Sequence, residues 1–150
     1  MADTTNSANA TLAEGMSFRI RTGSGHELVL DSAADVGGQD RGPRPMEMVL
    51  VALAGCTGMD VISILRKMRQ DVTGYEVRVV GAERAPEHPK IYTKVTVEHI
   101  VRGHNLAEAS VARAVDLSAT RYCPVSAMIA DGGEVTHTYR IEREEPVTAG

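Results

Sequence analysis

The chain has 150 residues, of which 43% are hydrophobic and 24% are charged, so it is long enough to bury a core as a single soluble domain. Its net charge is −4 and no basic segment is interleaved with aromatic residues, which argues against nucleic-acid binding. The longest uncharged stretch, Met48 to Met59, has 12 residues. A membrane span needs about 20 apolar residues, so we expect a cytoplasmic protein with no membrane partner.

The N-terminal part of the sequence predicts a tail, a hairpin and a loop. Residues 1–14 carry little that could pack, and we expect them to be a disordered tail before one domain at 15–150. Apolar and charged residues alternate from Phe18 to Arg21, and Glu27 to Leu30 reads as a second strand. A Gly-Ser-Gly turn separates the two segments, which predicts a hairpin. Three Gly and two Pro between Asp35 and Pro45 indicate a loop.

A long helix is predicted from Met46 to about Arg69. Its first two-thirds are apolar on all sides, so this part should be enclosed by other elements rather than lie on a surface. Gly55 and Gly58 each cost about 1 kcal/mol of helix propensity, which requires a packing or functional reason. Because a small sheet cannot cover such a helix alone, we expect a homodimer that shares its core.

The C-terminal half mixes strands and helices. The pattern predicts strands at Tyr75 to Val80 and Ile91 to Val101, an amphipathic helix from Leu106 to about Thr120, a short helix from Val125 to Ala130, and a last strand from Glu134 to Glu142. With the N-terminal hairpin and the long helix, this order indicates an α+β fold.

Two cysteines, Cys56 and Cys123, are the candidates for chemistry. Reducing compartments rarely keep disulfides, so two cysteines here suggest thiol chemistry, with two inert core thiols as the alternative. Burial raises the pKa of a thiol, so a reactive cysteine at position 56 would need a nearby cation. Pro124 suits the first turn of the short helix, which places Cys123 at the N-cap, where backbone N–H groups favour an anion.

Other polar residues show no local catalytic or metal-binding pattern. Glu47 and Cys56 are nine positions apart, so they point to opposite sides of one helix, about 13–14 Å apart along its axis. Two helices crossing in a dimer could bring these residues together. The five histidines have no metal-ligand spacing, and we predict no metal site and no bound cofactor. Ser126 reads as a polar residue of the short helix.

Three segments resemble the OsmC/Ohr family, which contains osmotically inducible protein C and the organic hydroperoxide resistance proteins. Pro45–Thr57 (PMEMVLVALAGCT) is similar to the family's helix signature, and Tyr122–Ser126 (YCPVS) to its second-cysteine motif. Ser24–His26 followed by Leu28–Asp31 resembles its N-terminal hairpin, nearer the OsmC-like branch. The resemblance implies an intertwined homodimer whose long central helices are wrapped by antiparallel sheets.

The resemblance also implies a chemistry. The cysteine that matches Cys56 attacks an organic hydroperoxide and becomes a sulfenic acid, and the one that matches Cys123 resolves it as a disulfide. An external dithiol, of the lipoyl type, reopens that disulfide. The family's activating Arg and Glu correspond to Arg19, with Arg21 second, and to Glu47, which lies one residue nearer the cysteine than in typical peroxidase members.

Two other functions stay open from the sequence. A non-catalytic relative could hold a small hydrophobic molecule in the dimer cleft, keeping the fold and the cysteines without turnover. Another thiol enzyme, such as a disulfide exchanger or a hydrolase using Cys56, would act on substrates other than peroxides. Peroxide-dependent loss of free thiols separates these alternatives from a peroxidase.

Overall fold

The computed structural model of the protein describes residues 5–145, in two compact units, Met1–Val49 and Leu50–Gly150. The sequence predicts one domain at 15–150, and this stays a prediction. The division falls within the long helix, where no change of composition marks it. Residues 1–4 of the predicted tail and residues 146–150 of the predicted domain lie outside the described part.

The N-terminal unit is built on a three-stranded antiparallel sheet. Strands β1 (Ala8–Leu12), β2 (Phe18–Thr22) and β3 (Glu27–Leu30) lie in that order, and the predicted hairpin between β2 and β3 is confirmed. Strand β1 corrects the prediction that residues 1–14 are all disordered. All five of its side chains are exposed, so backbone hydrogen bonds to β2 hold it and no apolar pattern indicates it.

Helix α1 runs from Pro45 to Lys67 and is followed, in the C-terminal unit, by a second three-stranded sheet. Strands β4 (Asp71–Arg84) and β5 (Tyr92–His104) are antiparallel, whereas β5 and β6 (Glu134–Arg143) are parallel. The prediction of purely antiparallel sheets is therefore wrong for this pair. Two helices connect β5 to β6, and such a crossover lets β6 run in the same direction as β5.

The crossover consists of helix α2 (Glu108–Leu117), a π-helical turn at Ser118–Tyr122, and helix α3 (Pro124–Gly132). The sequence predicts a single helix to about Thr120. The helix instead widens into the π-helical turn at Ser118, a distortion that often occurs at functional sites. This turn delivers Cys123 to the start of α3.

Helix α1 has two different faces within one chain. Leu53, Thr57, Val61 and Leu65 recur every four residues and are buried, and Val61 and Leu65 belong to a core shared with β5 and α2. The opposite face is exposed and apolar, and its Met59 is 73% exposed. One chain therefore does not enclose this helix.

Helix α1 is long and apolar enough to cross a membrane, and its most apolar window has a mean hydropathy of 2.1. The 12-residue uncharged stretch in the sequence did not indicate this. Core helices of soluble proteins meet the same criterion. Asp60 lies within the helix and accepts a hydrogen bond from the neighbouring π-helical turn. A carboxylate is costly in the hydrocarbon of a membrane, whereas here a protein hydroxyl group donates to it. This favours a core helix over a membrane-spanning one.

Candidate functional site

The C-terminal unit brings the two cysteines together. Cys56 is half-buried on α1 and Cys123 is buried at the start of α3, and both are free thiols. Their Sγ atoms and a carboxylate oxygen of Asp60 all lie within 4.8 Å of one another. Residues 67 positions apart (123 − 56) thus form one dithiol beside a carboxylate.

Cys123 occupies the N-cap of α3, as the sequence predicts. Pro124 is in the first turn, and the backbone N–H of Ser126 donates to Cys123 Sγ at 3.4 Å. Burial nevertheless raises the pKa of Cys123 to about 11, against the lowering effect of the Ser126 N–H, and the adjacent Cys56 thiol raises it further. The sequence-based expectation that the cap makes Cys123 acidic is wrong, because burial outweighs the helix end.

Asp60 is held by a chain of hydroxyl groups. Ser118 Oγ donates to Asp60 Oδ2 at 3.0 Å, and the hydroxyls of Thr57 and Ser118 are 2.7 Å apart. Because the single Ser118 proton goes to the carboxylate, Thr57 must donate to Ser118. Thr57 and Ser118 are both fully buried, so the π-helical turn fixes the carboxylate next to the dithiol.

A second hydrogen-bonded chain reaches the site from the sheet. Tyr75 Oη lies 2.6 Å from His99 Nδ1, and His99 Nε2 lies 3.0 Å from His137 Nδ1. His137 Nε2 lies 3.2 Å from Ser126 Oγ, and Ser126 is the residue whose N–H binds Cys123. We call these four residues, Tyr75, His99, His137 and Ser126, the relay.

The relay is neutral near pH 7. Burial lowers the pKa of His99 to about 4, assisted by His137, and burial also lowers the pKa of His137. Burial, together with the charge of Asp60, raises the pKa of Tyr75 above its ordinary value. A chain of neutral donors and acceptors therefore connects the β4–β5–β6 sheet to the cap of Cys123.

The other predicted site residues lie in the N-terminal unit. Arg19 is exposed on β2, where its backbone pairs with Thr11 and Val29. Arg21 forms an exposed ion pair with Glu27 at 3.5 Å. Glu47 is exposed in the first turn of α1, and its Oε1 accepts the backbone N–H of Arg44 at 2.9 Å, which caps the helix.

The sequence interpretation missed Asp60, Ser118 and the relay. Asp60 had a usable signal, since it is a carboxylate in the apolar middle of the helix and follows Cys56 by one helical turn. Ser118 had none, because only the π-helical turn places it over α1. His99 and His137 were read as structural strand residues, and the parallel pairing that joins them is not visible in the sequence.

The fold of this chain is similar to solved OsmC/Ohr-like structures. The OsmC-like protein family matches residues 37–138, and the chain belongs to this family.

Relatives and solved structures agree with this assignment. Protein YhfA of Escherichia coli (strain K12) is 42% identical over 134 residues, which cover 89% of this chain and 96% of YhfA. A hypothetical protein from Aquifex aeolicus VF5 is 28% identical, with a TM-score of 0.82 over 95% of this chain and all of its own. An organic hydroperoxide resistance protein OsmC from Legionella pneumophila is 21% identical, with a TM-score of 0.65 over 93% of this chain and 98% of its own, and supports the fold.

Proposed function

We propose that this protein is a thiol-dependent peroxidase that reduces organic hydroperoxides through Cys56 and Cys123. The observation that carries the proposal is the proximity of the two Sγ atoms, which lie within 4.8 Å of each other although the residues are far apart in sequence. Membership of a family that includes organic hydroperoxide resistance proteins supports the choice of substrate. The short β2–β3 hairpin leads us to propose the OsmC-like branch of the family, and we also propose a cytoplasmic location.

The proposed reaction has two steps. The Cys56 thiolate attacks the terminal oxygen of ROOH, the O–O bond breaks, and the alkoxide takes a proton to leave as ROH. The resulting Cys56 sulfenic acid then reacts with the Cys123 thiol, which forms the S–S bond and releases water. A dithiol of the lipoyl type supplies the two electrons that restore both thiols.

The pKa of Cys123 supports this division of roles. The attacking group must be a thiolate, and a pKa of about 11 leaves Cys123 protonated near neutral pH. Cys56 is the less buried of the two and is the cysteine that a substrate can reach more easily. Cys123 therefore suits the second step, in which its proximity to the Cys56 sulfenic acid offsets its small thiolate fraction.

Activation of Cys56 is proposed to take place in a homodimer. The exposed apolar face of α1, which includes Val51 and Met59, gives a partner chain a surface to cover. We propose that Arg19 supplies the cation for Cys56 and that Glu47 of the partner subunit holds this Arg by a bidentate pair. Arg19 and Glu47 are both exposed in one chain, and Glu47 Oε1, which accepts the Arg44 N–H, would be shared with the partner's Arg19.

The test is oxidation of the purified, reduced protein by tert-butyl or cumene hydroperoxide, followed by free-thiol counting and mass spectrometry. Wild type should lose two thiols per equivalent of peroxide and form the Cys56–Cys123 disulfide. Cys56→Ser should remove turnover with a dithiol reductant. Cys123→Ser should keep the first oxidation but accumulate sulfenic or overoxidised Cys56.

The opposite pattern, in which Cys123→Ser alone stops the first oxidation, would reverse the roles. Wild-type thiols that react no faster than a free thiol would contradict the peroxidase proposal and favour a protein that binds a hydrophobic ligand without turnover. Arg19→Lys, with Arg21→Lys as the matched control, tests the activating cation, and only Arg19→Lys should slow the first oxidation.

A further inference from the structure

Cys56, Cys123 and Asp60 form a set of three donor atoms, and the peroxidase chemistry requires only the two sulfurs. Peroxide reduction uses the two sulfurs and needs no carboxylate beside them. The three donor atoms nevertheless lie within 4.8 Å of one another. Two thiols and one carboxylate are ligands that zinc accepts.

The geometry is close to that of a metal site. Ideal bond lengths and tetrahedral angles place the donors of a zinc site about 3.5–3.8 Å apart. From the observed limit of 4.8 Å the present donors need to approach by at most about 1.0–1.3 Å to reach that spacing. Cys56 and Asp60 are half-buried side chains one helical turn apart, so small rotations on the same face of α1 can supply this movement.

The surrounding hydrogen bonds are of the kind that orient metal ligands. Ser118 Oγ donates to Asp60 Oδ2, which fixes the carboxylate and leaves its other oxygen for a metal. Thr57 in turn holds Ser118, and the N–H of Ser126 donates to Cys123 Sγ. Such outer contacts hold ligands in place and increase their affinity for a metal.

No protein cation neutralises this carboxylate within the C-terminal unit. Among residues 50–145, as the structure describes them, the ion pairs of Arg and His side chains involve other carboxylates, and Asp60 has only its hydroxyl partner. With both cysteines deprotonated the three ligands carry a charge of −3. A divalent cation reduces that charge to −1, which stabilises all three ionised ligands at once.

We propose that the reduced protein binds one Zn²⁺ per chain through Cys56 Sγ, Cys123 Sγ and a carboxylate oxygen of Asp60. Binding forms two Zn–S bonds and one Zn–O bond and releases two thiol protons to solvent, with no change of oxidation state. The fourth tetrahedral position stays open to water or a small ligand, as in zinc sites with three protein ligands. While bound, the metal occupies the sulfur electron pairs that would attack a peroxide.

The proposal shares two cysteines with the proposed peroxidase but does not depend on turnover. Metal binding is measured on reduced protein without peroxide, and peroxide oxidation is measured on chelator-treated protein without metal. Either activity can therefore fail while the other is observed.

The experiment is an anaerobic titration of reduced, metal-free protein with Co²⁺, followed by displacement with Zn²⁺. One Co²⁺ per chain should bind, with the thiolate-to-cobalt charge-transfer absorption and intense visible bands of a tetrahedral site. Cys56→Ser and Cys123→Ser should each weaken that absorption. Asp60→Asn, which keeps both thiols, should lower the affinity by about tenfold or more. Asp116→Asn, at an exposed carboxylate on α2, is the matched control and should bind as wild type does.

Circular dichroism establishes that each variant is folded. If Asp60→Asn does not fold, Ser118→Ala replaces it, because loss of the outer contact should lower affinity by about 10–100-fold. Binding no tighter than that of a free dithiol, equal affinity for wild type and the Asp60 or Ser118 variant, or an unchanged spectrum without either cysteine would each overturn the proposal.

Discussion

At Cys123 two local effects act in opposite directions. The N-terminus of α3 and the N–H of Ser126 stabilise a thiolate, whereas burial beside Cys56 stabilises the neutral thiol. The outcome is a raised pKa, so a cap position alone does not make a cysteine acidic when its sulfur is shielded from water. In the reaction we propose, burial thus keeps Cys123 from acting first.

His99 makes the stability of the protein depend on pH. Its native pKa of about 4 lies below its ordinary value of 6.5, so the unfolded chain binds a proton that the native protein does not. Protonation of the unfolded chain at His99 does not lower the free energy of unfolding above about pH 6.5. The free energy of unfolding should decrease as the pH falls from about 6.5 to about 4. His137, whose pKa is also lowered, adds to the same trend. Urea unfolding at about pH 7 and about pH 5 measures the decrease.

The matched variants for this prediction are His99→Gln and His26→Gln. His99→Gln removes the buried titrating group, so stability should change less between the two pH values than in wild type. His26 is exposed in the N-terminal unit, and His26→Gln should keep the wild-type pH dependence. An equal dependence for wild type and His99→Gln would show that other groups cause it.

The individual residues differ in how well the sequence predicts them. The N-cap position of Cys123 follows from Pro124 and a local pattern, and the structure confirms it. The contacts of Asp60, Ser118 and His137 come from elements that meet only after folding. Sequence spacing does not encode those contacts, since Ser118 lies 58 positions from Asp60.

Among the elements, α1 combines a packed face with an open one. A Cβ at Gly58 would lie 3.3 Å from Val77 Cγ2 and 4.0 Å from Tyr75 Cε2, so glycine lets β4 approach this side closely. A Cβ at Gly55 meets nothing within 4 Å. Close packing within one chain therefore explains the glycine at position 58. Among the described residues it does not explain the glycine at position 55.

Gly58→Val should destabilise the protein. The added side chain enters space that Val77 and Tyr75 occupy, and overpacking of this kind costs about 1–3 kcal/mol, more than the gain in helix propensity of under about 1 kcal/mol. The urea midpoint measures the change. Arg113→Val, at an exposed position of α2, is the control and should shift the midpoint little. Equal midpoints for Gly58→Val and wild type would contradict the close packing.

A helix or strand could be predicted from the sequence where its apolar side chains recur with a regular period. The β2–β3 hairpin, α1 and the main strands follow apolar periodicity, and all are present. Strand β1 has no buried side chain and so has no such signal. The parallel β5–β6 pair depends on the path of the crossover, which local patterns do not specify.

At the scale of the whole molecule, the exposed apolar residues of α1 support the proposed homodimer. Val51 and Met59 lie on the exposed face of α1, and the opposite face of this helix is buried in the core. Exposed apolar patches of this kind usually mark interaction sites. The homodimer we propose would use this face.

Met59→Glu should disrupt the dimer without unfolding the chain. The side chain is 73% exposed in one chain, so a charge there costs little in the monomer but is buried and unpaired in a dimer. Light scattering at micromolar concentration should show a dimer for wild type and a smaller species for the variant. Ala109→Glu, at an exposed position on α2, should stay dimeric. A stable wild-type monomer would contradict the proposal.

The relay has a direction, because each of its four neutral groups carries a single mobile proton. If Tyr75 donates to His99, then His99 must donate to His137 and His137 to Ser126, which leaves the Ser126 hydroxyl proton for another acceptor. In the reverse polarity Ser126 donates and the spare proton is on Tyr75. The two ends are thus complementary, and only one end at a time has a proton to give. A ligand that accepts a hydrogen bond from Tyr75 would therefore favour the polarity in which the Ser126 hydroxyl donates to His137 and has no proton for another acceptor.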